Sequence, residues 1–337
     1  MRCKRIICRK FAVKISKYSG KFAYFHHNFK LMTRIHIISI GNYTMCHLAI
    51  ALHKKGFIVS GSDVEILEPQ RALLAEHNIL PEKMEWNIEN IIKGIDAFIP
   101  SMHIDKSNPE LARAIEKGYL VVSFPEFIYR QTKDKVRLVV SGTKGKCSMI
   151  SMMIYALKKS KITFDYATLR PIKGVASSIN LTHDSRIALL EGNEYSTSPI
   201  ESKPLHKFYH PQIVLLSNIK WNENSDFYSL DSYLACFKEL VDDIDRDGKY
   251  IYFEEDLPLE TLTSKLREDI TAIPYKAHNV ENIDGAMMLK TRFGDFPIHI
   301  QDEYFLQNLN GARIACRQLG LQDKDFYASI SEYSFLN

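Results

Sequence analysis

The chain has 337 residues, 45% of them hydrophobic, so it can bury a sizeable core and is long enough for two domains. Its net charge of +4 is uneven, because residues 1–31 carry nine Lys or Arg and no acid, and the rest of the chain has a net charge of −5. The basic excess therefore belongs to the leader. The composition gives no indication of a nucleic acid partner.

Residues 1–31 contain no apolar run long enough for a signal-peptide core or a membrane span. We interpret them as a disordered tail or a start-site artefact; their basic, acid-free composition also resembles that of a transit peptide. The six cysteines include no Cys-x-x-Cys pair, which is typical of reduced thiols in a cytoplasmic protein. We therefore predict a cytoplasmic protein without a membrane segment.

Deletion of residues 1–31 is expected to leave thermal stability nearly unchanged, because they precede the first predicted strand and lack amphipathic order. Thermal denaturation of the full and shortened chains checks this. A loss well above about 1 kcal/mol, the centre of ordinary single-mutant effects, would show that the leader packs onto the fold.

From Ile35 onward, strand and helix patterns alternate, which predicts a parallel sheet. The predicted strands are "IHIISI", "FIVSGSD", "DAFIPS" and "YLVVS". The predicted helices are "TMCHLAIALHKKG", "EPQRALLAEHNI" and "NPELARAIEKG", the last opened by Asn108 and Pro109. The polar stretch 129–135 is predicted to be a linker.

A second α/β unit follows the linker. Its predicted strands are "RLVVSG", "RIALLEG", "QIVLLSN" and "GKYIYFEED", and its helices begin after Lys146, at "LDSYLACFKELVDDI" and at "EYFLQNLNGARIACRQLG". We therefore predict an α/β protein with a leader at 1–31, a Rossmann-like domain at 32–132 and a P-loop-type domain at 133–337.

Three loops at the ends of predicted strands could bind ligands. The turn "IISIGNYTMCHLA" has only Gly41 of a dinucleotide fingerprint, so it is also consistent with an ordinary strand-to-helix turn. "SGTKGKCS" places two glycines and Lys146 at a helix start, which predicts a short phosphate-binding loop, or is a chance glycine turn. "EGNEYSTSPI" offers Glu191 or Glu194 to a metal, or is a solvated acidic loop.

Taken in order, these motifs resemble those of the Mur ligase family, the ATP-dependent amide ligases of peptidoglycan synthesis. The landmarks are "IHIISIG", "VSGSD", "NPELARA", "SFPEF", "GTKGK", "EGNEYSTSPI", "LLSNIKWN" and "LQNLNGARIAC", over about residues 33–337. The resemblance implies a first domain for a UDP-sugar and a central ATP-binding domain. It also implies that the family's C-terminal ligase domain is absent here, which would leave a surface open to a partner.

The resemblance assigns roles to individual residues. It implies ATP binding by the loop and one later asparagine, namely Gly142, Thr143, Gly145, Lys146, Cys147, Ser148 and Asn308. It implies that Glu191 and Glu223 bind Mg²⁺. Contacts with a UDP-N-acetylmuramate-type substrate are implied for Gly41, Ser62, Asp63, Glu194 and Tyr195.

Several positions depart from the family pattern. Lys144 stands where the family has histidine, and Cys147 and Ser148 stand where it has threonines. Asn193 replaces an aspartate, and the family's Asp-His pair reads Asn222-Glu223. The family's Gly-x-His-Asn-x-x-Asn motif reads "DEYFLQN", which keeps only Asn308. Because a thiol is a poor ligand for Mg²⁺, Cys147 weakens the expected metal contact.

The family reaction activates a carboxylate with ATP and then forms an amide, and Lys146 would stabilise the transferring phosphoryl group. With these substitutions we expect this chain to be inactive or weakly active alone. The alternative function is a non-catalytic protein that binds a UDP-sugar, a nucleotide or a partner. A folate-polyglutamate type ligase is a third interpretation, disfavoured by the "IHIISIG…VSGSD" first domain.

Overall fold

A computed structural model describes residues 34–172, 174–195, 198–201, 203–222, 227–300 and 302–334. The predicted leader, the metal candidate Glu223 and part of the acidic loop lie outside these described residues. In the parts of the chain that the structure describes, no helix is long and apolar enough to span a membrane.

The first unit is built on three strands, β1 (Arg34–Ile38), β2 (Ile58–Ser62) and β3 (Ala97–Pro100). They pair in parallel in the order β2–β1–β3. The helices around them are α1 (Tyr43–Lys54), α2 (Gln70–Glu76), α3 (Pro109–Glu116) and α4 (Phe124–Thr132), with a 3-10 turn at Ile88–Asn90. The predicted parallel sheet is confirmed.

Helix starts in this unit follow their capping residues. The Asn108 side chain accepts hydrogen bonds from the backbone N–H groups of Glu110 and Leu111, both at 3.0 Å, and Pro109 occupies the first turn. The Asn42 side chain caps α1 in the same way through Thr44 N at 3.0 Å. The predicted opening of α3 is therefore confirmed.

Two predictions for this unit were wrong. "YLVVS" forms only an isolated parallel bridge between Val121 and Phe98, because Ser123 already opens α4. The predicted linker 129–135 begins inside α4, whose buried Phe127 and Ile128 continue a helical apolar face. The connection between the two units is therefore only the short segment between Thr132 and Val136.

The second unit contains a seven-stranded sheet. Its strands are β4 (Val136–Ser141), β5 (Asp165–Ala167), β6 (Ile179–Asn180), β7 (Ile187–Glu191), β8 (Ile213–Leu216), β9 (Lys249–Phe253) and β10 (Thr271–Tyr275). The order is β10–β9–β8–β4–β7–β5–β6, and every pair is parallel except β5 with β6.

Helices cover both faces of this sheet. They are α5 (Lys146–Lys159), α6 (Leu230–Asp242), α7 (Leu257–Thr263), α8 (Phe305–Gln318) and α9 (Asp323–Ser334), with a 3-10 turn at Leu205–Phe208. Along β4, Leu138 and Val140 join the core under α5, α8 and α9, whereas Val139 joins the core under α6 and α7. The predicted doubly wound α/β arrangement is therefore confirmed.

A small antiparallel sheet between β10 and α8 is absent from the sequence-based prediction. Its strands are β11 (Val280–Ile283), β12 (Ala286–Thr291) and β13 (Gly294–Ile298). It packs against the second unit mainly through α9 and the buried side chains of Leu289 and Ile298. These strands are mostly exposed, so they lack a clear apolar alternation.

The two units contact each other through α1. The Thr44 hydroxyl donates to the carbonyl of Leu169 at 3.2 Å, and His47 Nδ1 accepts from the backbone N–H of Ser178 at 3.2 Å. Ser177 Oγ lies 2.8 Å from the same His47 nitrogen. Polar contacts of α1 therefore connect the first unit to the strand region of the second.

Candidate phosphate-binding site

The loop between β4 and α5 contains the predicted phosphate-binding residues. Gly142 and Gly145 have φ of +120° and +91°, in the left-handed region that favours glycine. Gly145 is the N-cap of α5, so the free N–H groups and the positive end of the helix dipole open into the loop. The Lys146 side chain folds back and donates to the Gly142 carbonyl.

The neighbouring strand β8 holds this loop in place through its carboxyl end. Asn218 accepts from Thr143 N through its backbone carbonyl at 2.8 Å and from Lys144 N through its side chain at 3.1 Å. The Ser217 hydroxyl donates to the Lys144 carbonyl, and Gln307 Nε2 of α8 donates to the Ser217 carbonyl at 2.6 Å. The loop shape is therefore fixed by its neighbours as well as by its glycines.

Asn308 lies directly against the loop. A Cβ at position 145 would be 2.5 Å from Asn308 Oδ1, so only glycine fits there without displacing the asparagine. Asn308 is 1% exposed, and its Oδ1 has no hydrogen-bond partner in the structure. Buried polar atoms are normally paired, so this oxygen marks a place where a ligand group would supply the missing partner.

Glu191, at the end of β7, faces the same loop. Its Oε2 accepts from the Leu169 backbone N–H at 2.8 Å, the residue whose carbonyl binds Thr44 of the first unit. Burial raises the pKa of the Glu191 carboxyl, although that hydrogen bond and the charges of Lys146 and Arg170 oppose the shift. Glu191 thus connects the loop to the contact between the two units.

Glu194 lies on the other side of Lys146. Its Oε2 is 3.8 Å from Lys146 Nζ, within ion-pair range but too far for a hydrogen bond, and it has no other partner in the structure. Its Oε1 accepts from the Tyr233 hydroxyl at 3.0 Å, and that hydroxyl is 2.9 Å from Thr143 Oγ1. Tyr195, the next predicted substrate residue, contacts Phe227, with 5.9 Å between the ring centroids and 50° between the ring planes.

The residues at the loop fit a nucleotide phosphate better than an isolated metal ion. Burial and the Glu191 charge raise the pKa of the Cys147 thiol, so at neutral pH it stays protonated and is a poor ligand. Ser148 is half-buried in the first turn of α5. Among the described residues no group of three or more His, Cys, Asp or Glu could hold a metal. Glu191 and Glu194 remain as carboxylates for a Mg²⁺ that arrives on phosphates.

Three residues at the loop mouth, Lys144, Lys220 and Tyr304, were not identified as site residues from the sequence. Lys220 Nζ lies 2.8 Å from the Tyr304 hydroxyl and 4.9 Å from the centroid of its ring, and Lys144 Nζ is 5.9 Å from the same centroid. Together with Lys146 these lysines make the mouth basic, which favours an anionic ligand. Lys220 lies four residues after the end of β8, and the ends of parallel strands could have indicated it.

The predicted substrate residues of the first unit form a compact polar group at the ends of β1 and β2. Asp63 Oδ2 accepts from Gly41 N at 2.9 Å and from the Ser39 hydroxyl at 3.1 Å. The Ser62 hydroxyl donates to the buried Glu110. Although burial alone would raise it, hydrogen bonds from His36, Ser62, Asn87 and Asn90 hold the pKa of Glu110 below its usual value. Substrate contact by Gly41, Ser62 and Asp63 stays a prediction.

A buried histidine lies beneath the acidic loop. His206 is fully buried, its Nε2 is 3.8 Å from Cys236 Sγ, and its Nδ1 has no hydrogen-bond partner in the structure. Burial lowers the pKa of His206 to about 3. The imidazole is therefore neutral in the folded protein at any mild pH.

Acid is expected to destabilise the fold through His206. Between its usual pKa of 6.5 and about 3 the unfolded chain binds a proton that the folded chain does not. Stability is therefore fully present above pH 6.5 and falls with decreasing pH, by at most about 1.4 kcal/mol per pH unit. Urea unfolding at several pH values gives the free energy of unfolding as a function of pH. This free energy should fall less steeply with decreasing pH for His206→Gln than for the natural chain. The exposed His103→Gln is the control, and equal slopes in all three proteins would contradict this prediction.

Comparison with known proteins agrees with this architecture. Residues 34–135 match the family described as Mur ligase family, catalytic domain. The chain is 23% identical over 315 residues to a UDP-N-acetylmuramate–L-alanine ligase of Carboxydothermus hydrogenoformans, covering 90% of this chain and 66% of that ligase. A ligase of the same name from Treponema pallidum is also 23% identical, covering 83% of this chain and 59% of the ligase.

Solved structures give the same result for the fold. A UDP-N-acetylmuramate:L-alanyl-gamma-D-glutamyl-meso-diaminopimelate ligase of Neisseria meningitides superposes with a TM-score of 0.79 at 18% identity, covering 89% of this chain and 98% of that one. A murein peptide ligase of Psychrobacter arcticus gives a TM-score of 0.75 at 18% identity, covering 89% of this chain and 68% of that one.

The fold and the loop define a doubly wound α/β protein with a P-loop-type second unit. Residues 34–135 match the Mur ligase family, and the part of the chain that the structure describes has the Mur ligase fold, as the sequence motifs predicted. The chain spans about three fifths to two thirds of the two curated relatives described above.

Proposed function

We propose that this chain binds the phosphates of ATP, with Mg²⁺, in the loop between β4 and α5. The reaction it serves is the ATP-dependent joining of an amino acid or peptide to a UDP-N-acetylmuramate-type nucleotide sugar in peptidoglycan synthesis or recycling. The observation that carries the proposal is the glycine loop at the start of α5, where the free N–H groups of the first turn and the Lys146 ammonium lie together. The buried, unpaired acceptors Asn308 Oδ1 and Glu194 Oε2 would be satisfied by Mg²⁺ or by an N–H group of the nucleotide. Relatives named for ligation to UDP-N-acetylmuramate support this class of substrate.

Different residues of the chain would bind the phosphates, the nucleotide and the metal. The N–H groups at the start of α5 and the Lys146 ammonium would bind and orient phosphate oxygens. Asn308 would contact the nucleotide. Glu191 and Glu194 would hold Mg²⁺, whose chemistry is to neutralise phosphate charge. We place the nucleotide sugar on the first unit, near Gly41 and Asp63, and the reaction in the cytoplasm.

A second candidate is a non-catalytic nucleotide-binding or partner-binding protein. The observation that favours it is the half-buried, protonated thiol of Cys147 in the first turn of α5, where the resemblance implies a hydroxyl that contacts metal. A non-catalytic nucleotide-binding protein would also bind phosphates at the loop and would differ from the first candidate only in turnover, whereas a partner-binding protein would not need phosphates there.

Calorimetry with Mg·ATP tests the proposal. We expect weak, high-micromolar binding to the natural chain and none to Lys146→Ala, because the ammonium is the charged group closest to the phosphates. The matched control is Lys83→Ala, which removes a lysine whose side chain is 77% exposed. Low-micromolar binding that Lys146→Ala leaves unchanged would contradict the assignment of this loop, and so would a complete lack of binding by the natural chain.

A further inference from the structure

We infer that Tyr233 is a positioning residue of the phosphate loop, which holds Glu194 by one carboxylate oxygen and so keeps its charge from making a hydrogen bond to Lys146. The inference rests on the proposed function only for its consequence, namely that the Lys146 ammonium stays available to phosphate. The positioning itself concerns residues of this chain and can be measured without nucleotide.

The hydrogen bonds around Tyr233 have a single consistent direction. A carboxylate only accepts, so the Tyr233 hydroxyl must donate to Glu194 Oε1 at 3.0 Å. The Thr143 hydroxyl must then donate to Tyr233 at 2.9 Å, while its oxygen accepts from the backbone N–H of Lys220 at 2.8 Å. This chain of bonds joins α6, the phosphate loop, the segment after β8 and the acidic loop.

The distance between the Glu194 carboxylate and the Lys146 ammonium is longer than their charges would favour, and this requires an explanation. Both side chains are largely buried, at 4% and 15% exposure, so their opposite charges attract strongly. Even so, Glu194 Oε2 is 3.8 Å from Lys146 Nζ and makes no hydrogen bond. The hydroxyl of Tyr233, itself 2% exposed, holds the other carboxylate oxygen, while Lys146 Nζ donates to the Gly142 carbonyl. The Tyr233 bond is therefore what keeps the carboxylate from following the ammonium.

Removing the Tyr233 hydroxyl should release Glu194. In Tyr233→Phe the buried Oε1 loses its donor, and rotation of the carboxylate toward Lys146 replaces that hydrogen bond with one to the ammonium. Lys146 is then neutralised by a direct partner. The amine becomes less reactive because the carboxylate hydrogen-bonded to it restricts the approach of a reagent. Its affinity for phosphate should fall about tenfold, the equivalent of one hydrogen bond to a charged group.

The first experiment measures the acetylation rate of Lys146 by acetic anhydride in the full chain, with peptide mass spectrometry. We expect severalfold slower acetylation in Tyr233→Phe and a return toward the natural rate in Tyr233→Phe/Glu194→Gln, because the amide introduced at position 194 carries no charge to pair with the ammonium. The matched control is Tyr250→Phe, which removes a buried hydroxyl whose hydrogen bond goes to the Leu259 carbonyl of α7 and not to the loop. This variant should behave like the natural chain.

A merely structural role for Tyr233 would not be corrected by changing Glu194. The inference is therefore overturned if Lys146 reacts equally in the natural chain and in Tyr233→Phe. Slower acetylation that Glu194→Gln fails to restore would overturn it as well.

The second experiment follows binding of inorganic triphosphate, without metal, by phosphorus NMR. Binding should weaken about tenfold in Tyr233→Phe and recover in the double variant. If the natural chain binds neither triphosphate nor Mg·ATP, the proposed function is wrong, and the acetylation rates still decide the role of Tyr233.

Discussion

Replacement of Arg137 by Met is expected to lower the free energy of unfolding by about 3–5 kcal/mol, because it removes the donor of several wholly or partly buried carbonyls, each costing about 1–3 kcal/mol when left unpaired. The guanidinium is 3% exposed. It donates to Asp245 and to the carbonyls of five residues, which are Thr132, Lys133, Lys135, Tyr209 and His210. Methionine has similar length but no donor, so several of these buried carbonyls would be left unpaired.

Urea unfolding of the natural chain and the variant measures this loss. The matched control is Arg113→Met, which removes only an i,i+3 pair with the exposed Glu116 and should change stability by no more than about 0.5 kcal/mol. Similar small effects for both variants would contradict the role of Arg137. In that role, the Arg137 side chain connects the end of α4 and the segment after it with the segment before β8 through hydrogen bonds to their carbonyls.

Residues 1–337 by themselves are expected to form no amide from UDP-N-acetylmuramate, Mg·ATP and either L-alanine or the tripeptide. Position 147 offers a protonated, soft thiol where the resemblance implies a hydroxyl that contacts metal. This substitution weakens the electrostatic stabilisation of the transferring phosphoryl group. Loss of one such contact typically slows turnover by about 10²–10³.

The measurement is phosphate release together with mass spectrometry of the products. Cys147→Thr serves as the comparison, and restoring the hydroxyl should tighten Mg·ATP binding about tenfold through one added metal contact. Substrate-dependent phosphate release with the ligated mass in the natural chain, abolished in Lys146→Ala, would contradict the prediction. It would show that a thiol at position 147 is compatible with catalysis.

The sequence by itself determined the class of fold and the position of the phosphate loop. Strand and helix periodicity, the cap at Asn108 and the glycines around Lys146 are local signals, because each depends on residues a few positions apart. The parallel sheets and the loop at the start of α5 followed from them. Elements without strong local patterning were missed, notably the exposed strands β11 to β13 and the continuation of α4 past Tyr129.

Only the tertiary structure decided which side chains complete the site. Tyr233 lies on the buried face of α6, 90 residues after Thr143, and nothing in its local pattern distinguishes it from an ordinary core tyrosine. The tertiary structure likewise places Asn308 against Gly145, Arg137 beneath the connection between the units, and Leu169 between Thr44 and Glu191. Such contacts depend on how distant segments pack, whereas periodicity reports only the face that a residue presents.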